Sequence, residues 1–338
     1  MICLLPQNLP VKVFINIFRN KHVQFVLLII AGCWLIYLSI RTIDIEDLWK
    51  RMETGNYRVA FPVMMVSLTG YFFRSMRWKL ILKNMHEPVA LPDLYAALSI
   101  GYAVNFATPR LGEISRCLIL RQSAGVPIDK SLISVFIERM IDIICLAAIV
   151  AIASWISFGS LTTFLQSEII EPLLNSIRNK PILLIMTSAL FILALGYLVY
   201  RKLNTHTRVK MMVQKGLTAF KDVLQMKEKK SFLLYTFIIW GCYFLMTYLW
   251  FGVFEETASL GLREAFVIMA VGSVGRSVPI QGGGMGAYHY LVSNVFAIFG
   301  VSLLTGNAMA FVIHGAQMVL TLLLGIAAWI WVLVKTEK

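Results

Sequence analysis

Long apolar runs constrain this chain more than any other feature of its sequence. A helix needs about 20 apolar residues to cross the hydrocarbon core of a bilayer, and six runs come close to that length or exceed it. Only 14% of the 338 residues are charged, against roughly 25% in soluble domains, which argues against a soluble enzyme. We predict an all-α polytopic membrane protein with about six full transmembrane helices. The runs are Val23–Ile40, Val59–Phe73, Leu132–Phe158, Pro181–Tyr200, Phe232–Phe254 and Ala308–Val334.

Two further apolar stretches are interrupted by proline and glycine. Leu94–Leu120 is broken at Pro109–Glu113, and Ala265–Phe299 is broken at Pro279–Gly286. Non-helical backbone at membrane depth occurs only where surrounding protein or water satisfies its polar groups. Each stretch therefore predicts two half-length helices that form a broken re-entrant hairpin.

The distribution of lysine and arginine predicts the orientation. Short basic loops stay on the cytoplasmic side; residues 201–230 carry nine Lys and Arg, whereas residues 255–264 are net acidic. Placing the basic segment inside puts both termini in the cytoplasm and makes the two hairpins open to opposite sides. The single transmembrane domain, residues 1–338, then divides into two units of one plan, residues 20–158 and 181–334. The second unit is inverted, as in many transporters.

The net charge of +13 suits cationic loops held against an anionic leaflet. A chain this apolar keeps no water-facing surface for nucleic acid, so we expect no nucleic-acid partner. Within residues 201–230, four apolar side chains fall at helical spacing between lysines. The segment is either an amphipathic helix on the leaflet or a solvated basic connector, and the sequence leaves both open. The apolar residues are Val213, Leu217, Phe220 and Leu224.

Polar residues beside the first break form one candidate site. Asn105, Arg110, Glu113 and Arg116 surround it, and charges at membrane depth are costly unless they are paired or hydrated. The N-terminus of a half-helix attracts anions. Two arginines beside such a terminus favour a phosphate as the ligand.

The second break combines one arginine with a run of glycines. Gly282, Gly283 and Gly286 let the backbone approach either a ligand or another helix closely. Helix packing and ligand approach are both open readings, and Arg276 favours the ligand because packing alone does not explain a lone arginine there.

The returning half of the second hairpin begins with Tyr288 and His289. His289 and His314 are the only histidines inside apolar segments. Each is either a satisfied buried polar group or part of a relay, and all three residues are retained as weaker candidates.

The third span carries three charged residues, Glu138, Arg139 and Asp142. Glu138 and Asp142 are one turn apart and therefore share a face. Either these carboxylates pair with Arg110, Arg116 or Arg139 and hold the hairpin against the span, or one of them is protonatable and couples transport to protons.

The second span ends in basic and aromatic residues, Arg74, Arg77, Trp78 and Lys79. Snorkelling and aromatic anchoring at the interface explain them. A headgroup contact by Arg77 is the alternative.

Five cysteines are scattered singly, without a C-x-x-C motif or a companion histidine. This spacing predicts neither disulfides nor a metal site, and we expect no cofactor.

These motifs together resemble the lysylphosphatidylglycerol synthase transmembrane region family, whose members are flippase-like and similar to the N-terminal domain of the multiple peptide resistance factor. The resemblance covers approximately residues 20–334. It implies a multi-pass plasma-membrane protein, in the inner membrane of a bacterium or archaeon, that moves a lipid or lipid-linked headgroup between leaflets. The residues that carry it are Arg77, Trp78, Gly101, Asn105, Pro109, Arg110, Leu111, Gly112, Glu113, Arg116, Glu138, Arg139, Asp142, Pro279, Gly282, Gly283 and Gly286.

The second break departs from the family pattern. Gln281 stands where a second proline is usual, an extra glycine appears, and Tyr288 and His289 occupy the place of an acidic residue. The chain ends at Lys338, so we expect no soluble aminoacyl-transferase domain and no aminoacyl-lipid synthesis.

The leading hypothesis is a lipid transporter that moves an anionic phospholipid, an aminoacylated phospholipid or a polyprenyl-linked headgroup. One alternative is a membrane-embedded transferase acting on a lipid phosphate, with Glu113, Glu138 or Asp142 as base; another is a non-transporting assembly partner. We expect no enzyme, because no Asp-x-Asp motif is present. The expected partners are membrane lipids with anionic headgroups, and a homodimer and a separate lipid-modifying enzyme are open alternatives.

Overall fold

The computed structural model describes residues 33–41, 43–108, 111–157 and 225–336, together with residues 30 and 218. This part of the chain folds into helices joined by short turns, without a strand among the described residues. Residues 33–40 are also helical. The other described helices of nine residues or more are α1 (Ile45–Glu53), α2 (Ala60–Asn84), α3 (Leu91–Ala107), α4 (Leu111–Ala124), α5 (Ile128–Ile156), α6 (Lys229–Trp250), α7 (Leu262–Ser277), α8 (Ala287–Ile298) and α9 (Leu303–Thr336).

Three of the described helices are long and apolar enough to cross a membrane: Tyr57–Asn84, Lys229–Val253 and Leu303–Lys335. They contain or nearly contain three of the predicted apolar runs. The predicted run Leu132–Phe158 falls largely on α5, whose 29 residues extend about 44 Å at 1.5 Å per residue. Half of Val23–Ile40, all of Pro181–Tyr200 and most of the basic segment 201–230 lie outside the described residues.

Each interrupted stretch folds as two shorter helices that pack side by side. The first pair is α3 with α4, of 17 and 14 residues, and the second is α7 with α8, of 16 and 12 residues. Their lengths, from about 18 to about 26 Å, fall short of the hydrocarbon thickness of about 30 Å. We call these pairs the first and the second hairpin.

The first hairpin opens at one end of the helix bundle. Lys335, near the end of α9, lies 2.5 Å from Asp93 at the start of α3 and also donates to the backbone carbonyl of Ser123 at the end of α4. Lys83 at the end of α2 pairs with Glu228, just before α6, at 2.7 Å. We call this the Lys335 end.

The second hairpin opens at the opposite end of α9. Glu256, which precedes α7, accepts hydrogen bonds from Ser302 and Thr305, which lie at the start of α9. Arg51 of α1 donates to Glu256 at 3.2 Å and to Thr305 at 2.9 Å. We call this the Glu256 end.

Helix α1 is short and amphipathic. The Asp44 side chain caps its N-terminus by accepting from the backbone N–H of Glu46 at 2.7 Å. Leu48 is buried, whereas Ile45 and Trp49 are exposed.

Candidate functional site

Six charged side chains from three helices meet inside the bundle. Helix α2 contributes two arginines, α4 contributes one, and α5 contributes one arginine and two carboxylates. The two carboxylates are four residues apart and therefore lie on one face of α5. The structure confirms this, since both accept from the same arginine of α2. We call this group the arginine cluster; its members are Arg74, Arg77, Arg116, Glu138, Arg139 and Asp142.

Glu138 is the centre of the arginine cluster. One of its oxygens lies 2.6 Å from Arg74 Nη2 and 2.8 Å from Arg139 Nη2, and the other lies 2.5 Å from Arg116 Nη2. The side chain is 1% exposed. The predicted pairs of Glu138 with Arg116 and Arg139 are therefore present, and the first of them ties the first hairpin to α5. Arg110 lies outside the described residues.

Asp142 lies one turn further along α5 and shares two of these arginines, Arg74 and Arg139. Its carboxylate accepts from Arg74 at 2.8 Å and from Arg77 at 2.7 Å, and it lies 3.4 Å from Arg139. Each carboxylate therefore contacts at least three guanidinium groups, which holds both in the ionised form.

The expectation that Arg74, Arg77 and Trp78 snorkel to the interface is wrong. Arg77 and Trp78 are fully buried and Arg74 is nearly so. Their spacing puts all three on the face of α2 that packs toward α5. Trp78 donates to Ser134 at 2.8 Å, and the guanidinium of Arg116 lies 3.9 Å from the centre of the Trp78 ring.

Positive charge exceeds negative charge in the arginine cluster. Four guanidinium groups and two carboxylates leave two positive charges uncompensated within it. Several buried guanidinium nitrogens also have no hydrogen-bond partner among the described residues. Buried donors are normally satisfied, so the arrangement suits an additional anion. The unpartnered atoms are Arg74 Nε, Arg77 Nε, Arg77 Nη1, Arg116 Nε and Arg139 Nε.

Two tyrosines line the arginine cluster, and nothing in the sequence singled them out. Tyr243 of α6 accepts from Arg74 Nη1 at 2.6 Å, and the Tyr102 ring of α3 lies 5.5 Å from the Arg74 guanidinium. Arg139 is the most accessible cluster member, with 36% of its side chain exposed.

The helix start at the first break is already occupied by a side chain. Asn105 Oδ1 accepts from the backbone N–H of Gly112 at 2.7 Å, and Asn105 Nδ2 donates to Glu113 at 3.4 Å. The second Glu113 oxygen is buried without a partner among the described residues. Asn105 therefore satisfies one of the backbone N–H groups at the helix start where a phosphate was expected. The Arg116 side chain does not point toward this helix start but into the arginine cluster.

The first hairpin closes on two glycines. A Cβ atom on Gly112 would lie 1.9 Å from the Gly101 carbonyl oxygen, and one on Gly101 would lie 2.9 Å from the Gly112 carbonyl oxygen. The two helices cross at a distance that excludes any side chain.

The glycines of the second break serve both backbone conformation and packing. Gly282 and Gly283 have φ of 67° and 66°, a region that side-chain-bearing residues seldom adopt. A Cβ atom on Gly284 would lie 2.5 Å from the Gly275 carbonyl oxygen, and Gly286 also has positive φ. Helix packing therefore accounts for part of this run.

Arg276 lies near the end of α7, outside the arginine cluster. Its guanidinium donates to the Tyr288 hydroxyl at 3.2 Å and lies 4.6 Å from the centre of that ring. Among the described residues, Arg276 has no carboxylate within ion-pair distance.

The two histidines lie together beside the glycine turn, residues 281–286. His314 Nε2 is 2.7 Å from the Gly282 carbonyl oxygen, and His289 Nδ1 accepts from the backbone N–H of Gly286 at 3.3 Å. Their ring centres are 5.0 Å apart and both side chains are buried. The turn packs against α3, which brings the second break beside the first hairpin.

Within the described ranges, no group of three or more His, Cys, Asp and Glu side chains is arranged to hold a metal ion. Cys33, Cys117, Cys145 and Cys242 are free thiols.

Comparison with known proteins identifies a protein family that matches most of the chain. The family described as Lysylphosphatidylglycerol synthase TM region matches residues 23–325. A UPF0104 membrane protein of Pyrococcus horikoshii is 24% identical over 302 residues, which cover 81% of this chain and 87% of the relative. A UPF0104 membrane protein of Methanothermobacter thermautotrophicus is 23% identical over 303 residues, 83% of this chain and 87% of the relative. No solved structure matches the chain.

Proposed function

Because the chain belongs to the lysylphosphatidylglycerol synthase TM region family of membrane proteins, we propose that it moves an anionic lipid headgroup from one leaflet to the other. The substrate class comprises anionic phospholipids, aminoacylated phospholipids and polyprenyl-linked lipids, which share a phosphate. The arginine cluster is the headgroup site, with Arg139 at its accessible edge.

One observation carries the proposal: the arginine cluster has more positive charge and more buried N–H donors than its own carboxylates satisfy. Removing a guanidinium from water is costly unless it is paired. A phosphate supplies both charge and acceptor oxygens, and guanidinium groups bind it with paired hydrogen bonds. The lipid tails stay in the bilayer while the headgroup contacts the cluster.

The proposal includes an inverted repeat with two re-entrant hairpins between six spans. Two observations support it. The first hairpin opens at the Lys335 end and the second at the Glu256 end. Gly101 and Gly272 precede the first proline of their breaks by eight and seven residues, and a Cβ atom on either would meet the returning half of its hairpin, at Gly112 and at Tyr288. Opposed half-helices that meet near the bilayer midplane are typical of transporter binding sites.

The orientation follows from the basic residues. We propose that the Lys335 end faces the cytoplasm of a bacterial or archaeal plasma membrane, with both termini on that side. Alternating opening at the two ends would expose the arginine cluster to one leaflet and then to the other. Membrane lipids are the proposed partners; a homodimer and a separate lipid-modifying enzyme remain compatible with this scheme.

We favour transport over a transferase because two of the three candidate bases, Glu138 and Asp142, are poor ones. Glu138 and Asp142 are each held by several guanidinium groups. Such pairing stabilises the carboxylate and opposes its taking a proton.

Leaflet exchange in proteoliposomes tests the proposal. Purified protein is reconstituted with fluorescent phosphatidylglycerol or with fluorescent phosphatidylcholine as the zwitterionic comparison, and the label accessible from outside is quenched over time. We expect faster exchange of phosphatidylglycerol in the presence of protein. Arg139→Gln should slow it roughly tenfold or more, the effect of losing one charge-assisted hydrogen bond.

Arg121→Gln is the matched control, because Arg121 is an exposed arginine on α4. It should exchange lipid at the wild-type rate. The proposal fails if fluorescent phosphatidylglycerol and a fluorescent polyprenyl phosphate both exchange no faster with protein than without it. It also fails if the Arg139 and Arg121 variants behave alike while both remain folded.

A further inference from the structure

A second group of polar side chains lies beside the glycine turn, away from the arginine cluster. His314 is 5% exposed and His289 is 2% exposed. The centres of the Tyr288 and His314 rings are 5.1 Å apart. The Arg276 guanidinium lies over the Tyr288 ring, 4.6 Å from its centre. We call Arg276, Tyr288, His289 and His314 the histidine pocket.

Hydrogen bonding fixes where the His314 ring carries its proton. Its Nε2 lies 2.7 Å from the Gly282 carbonyl oxygen, which can only accept, so Nε2 must donate. In the neutral ring, Nδ1 then bears a lone pair. Nδ1 is buried and has no partner among the described residues. A proton can therefore be added at Nδ1 without breaking a hydrogen bond.

His289 differs in this respect. Its Nδ1 already accepts from the backbone N–H of Gly286, so the neutral ring carries its proton on Nε2. Adding a proton at Nδ1 would break the bond that positions the end of the glycine turn. Of the two histidines, His314 is the one that can take up a proton without losing a hydrogen bond.

The surroundings of His314 provide positive charge without a paired anion. Helix α7 brings Arg276, α8 brings Tyr288 and His289, and the glycine turn brings a backbone carbonyl. Glu113 of α4 accepts a hydrogen bond from Asn105, and three other charged residues on helices that pack against α9 are paired elsewhere. These pairs are Asp93 of α3 with Lys335, Arg116 of α4 with Glu138, and Arg51 of α1 with Glu256.

We propose that the histidine pocket binds a phosphate-type anion together with a proton, the anion at Arg276 and the proton on Nδ1 of His314. The Arg276 side chain is exposed and accessible to such a ligand. Protonated His314 without the anion would place a second cation near Arg276 and leave Nδ1–H unpaired. An oxyanion at Arg276 removes the first cost, because it offsets the charge.

Binding of the anion at Arg276 and binding of the proton at His314 therefore favour each other. Linkage is reciprocal: the anion increases proton affinity at His314, and a lower pH increases affinity for the anion. This inference rests on the proposed function only for the source of the anion, which is a lipid headgroup or free phosphate. Arg276 lies about 21 Å along α7 from Leu262 at 1.5 Å per residue. A headgroup there would be well inside the hydrocarbon region of about 30 Å.

Side-chain NMR of protein labelled with ¹⁵N in histidine tests the proposal in nanodiscs between about pH 3 and pH 8. Three samples are compared: phosphatidylcholine discs in chloride, the same discs with inorganic phosphate, and discs containing phosphatidylglycerol. His314→Gln identifies the His314 signal. We expect the proton affinity of His314 to rise roughly tenfold with phosphatidylglycerol or with phosphate. The sample that shows the rise identifies the source of the anion.

Two controls make the result specific. Arg276→Gln should abolish the rise at His314. The signal of His86, which follows α2 outside the pocket, reports the general effect of an anionic surface, and the rise at His314 must exceed it. The proposal is overturned if His314 titrates identically in all three samples, if it changes no more than His86, or if the rise survives in Arg276→Gln. This readout needs no transport, so absent leaflet exchange with a responsive His314 would contradict only the proposed function.

Discussion

The two hairpin regions of this protein share a plan and differ in chemistry. Around the first hairpin, six charged side chains are buried in one network with excess positive charge. Around the second, the buried polar side chains among the described residues of the hairpin, which include His289 and Ser293, carry no charge-paired carboxylate or guanidinium, and Arg276 is exposed and stacked on Tyr288. Two helix pairs of similar architecture therefore carry unlike sites.

This difference separates architecture from function. Glycine at the crossing of two helices is common to both hairpins, at Gly112 in the first and Gly275 in the second. The charge is not common to both, and it determines which ligand each region suits. The first region favours a fixed anion site and the second favours a site that responds to protonation.

The largest effect should follow from removing the central carboxylate of the first region. Glu138→Gln leaves Arg74, Arg116 and Arg139 without their shared counter-charge, and breaking a buried ion pair in this way costs about 3–5 kcal/mol. His289→Gln in the second region should cost about 1 kcal/mol, the value for one neutral hydrogen bond. Thermal unfolding in detergent micelles measures both.

Added phosphatidylglycerol sharpens that comparison. An anion in the arginine cluster should return part of the stability lost in Glu138→Gln and none of that lost in His289→Gln. Equal unfolding temperatures for the two variants would remove the distinction between the regions.

Glycine substitutions compare the two crossings directly. In Gly112→Ala the new Cβ meets a backbone oxygen at 1.9 Å, whereas in Gly275→Ala it meets the Tyr288 Cα at 2.8 Å. We expect losses of about 3 kcal/mol and about 1 kcal/mol, toward the two ends of the range for overpacking. Gly315→Ala is the control, because nothing lies within 4 Å of its added Cβ. It should be neutral or slightly stabilising, since alanine favours the helix. A wild-type unfolding temperature for Gly112→Ala would show that the first crossing is looser than described.

The smallest effect concerns the Glu256 end, where the second hairpin opens. Burial raises the pKa of the Glu256 carboxyl, but hydrogen bonds from Thr305 and Ser302 and the charge of Arg51 outweigh it, so the pKa lies below its usual 4.5. A lowered pKa contributes stability above the unfolded value that is lost as the pH falls through the folded value. Glu256→Gln should therefore cost about 1 kcal/mol at neutral pH and nothing well below pH 4.5. A difference that does not change with pH would contradict this assignment.

The helical architecture could be predicted from the sequence, whereas most side-chain contacts could not. The apolar runs and the two Pro/Gly breaks predicted three helices and both helix pairs, because length and interruption are local properties of the chain. The shared face of Glu138 and Asp142 followed from helical periodicity alone. The cap and the charged end of α1, Asp44 with Lys50 and Arg51, are readable sequence signals that lie outside the long apolar runs.

The composition of the arginine cluster could not be read in the same way. Arginines at the end of an apolar run can reach the interface or turn inward, and only the packing of α2 against α5 decides this for Arg74 and Arg77. Tyr243 reaches the cluster from a distant part of the chain. The Asn105 bond to Gly112 depends on how closely α3 and α4 cross.

Native mass spectrometry tests the central claim, an anionic headgroup held by the arginine cluster. Protein is incubated with equal amounts of phosphatidylglycerol and phosphatidylcholine of the same chain length and then released from micelles. We predict that wild-type protein and Arg121→Gln retain phosphatidylglycerol in preference, and that Arg139→Gln retains roughly tenfold less. Equal retention of both lipids, or equal retention of phosphatidylglycerol by wild-type protein and Arg139→Gln, would contradict the claim.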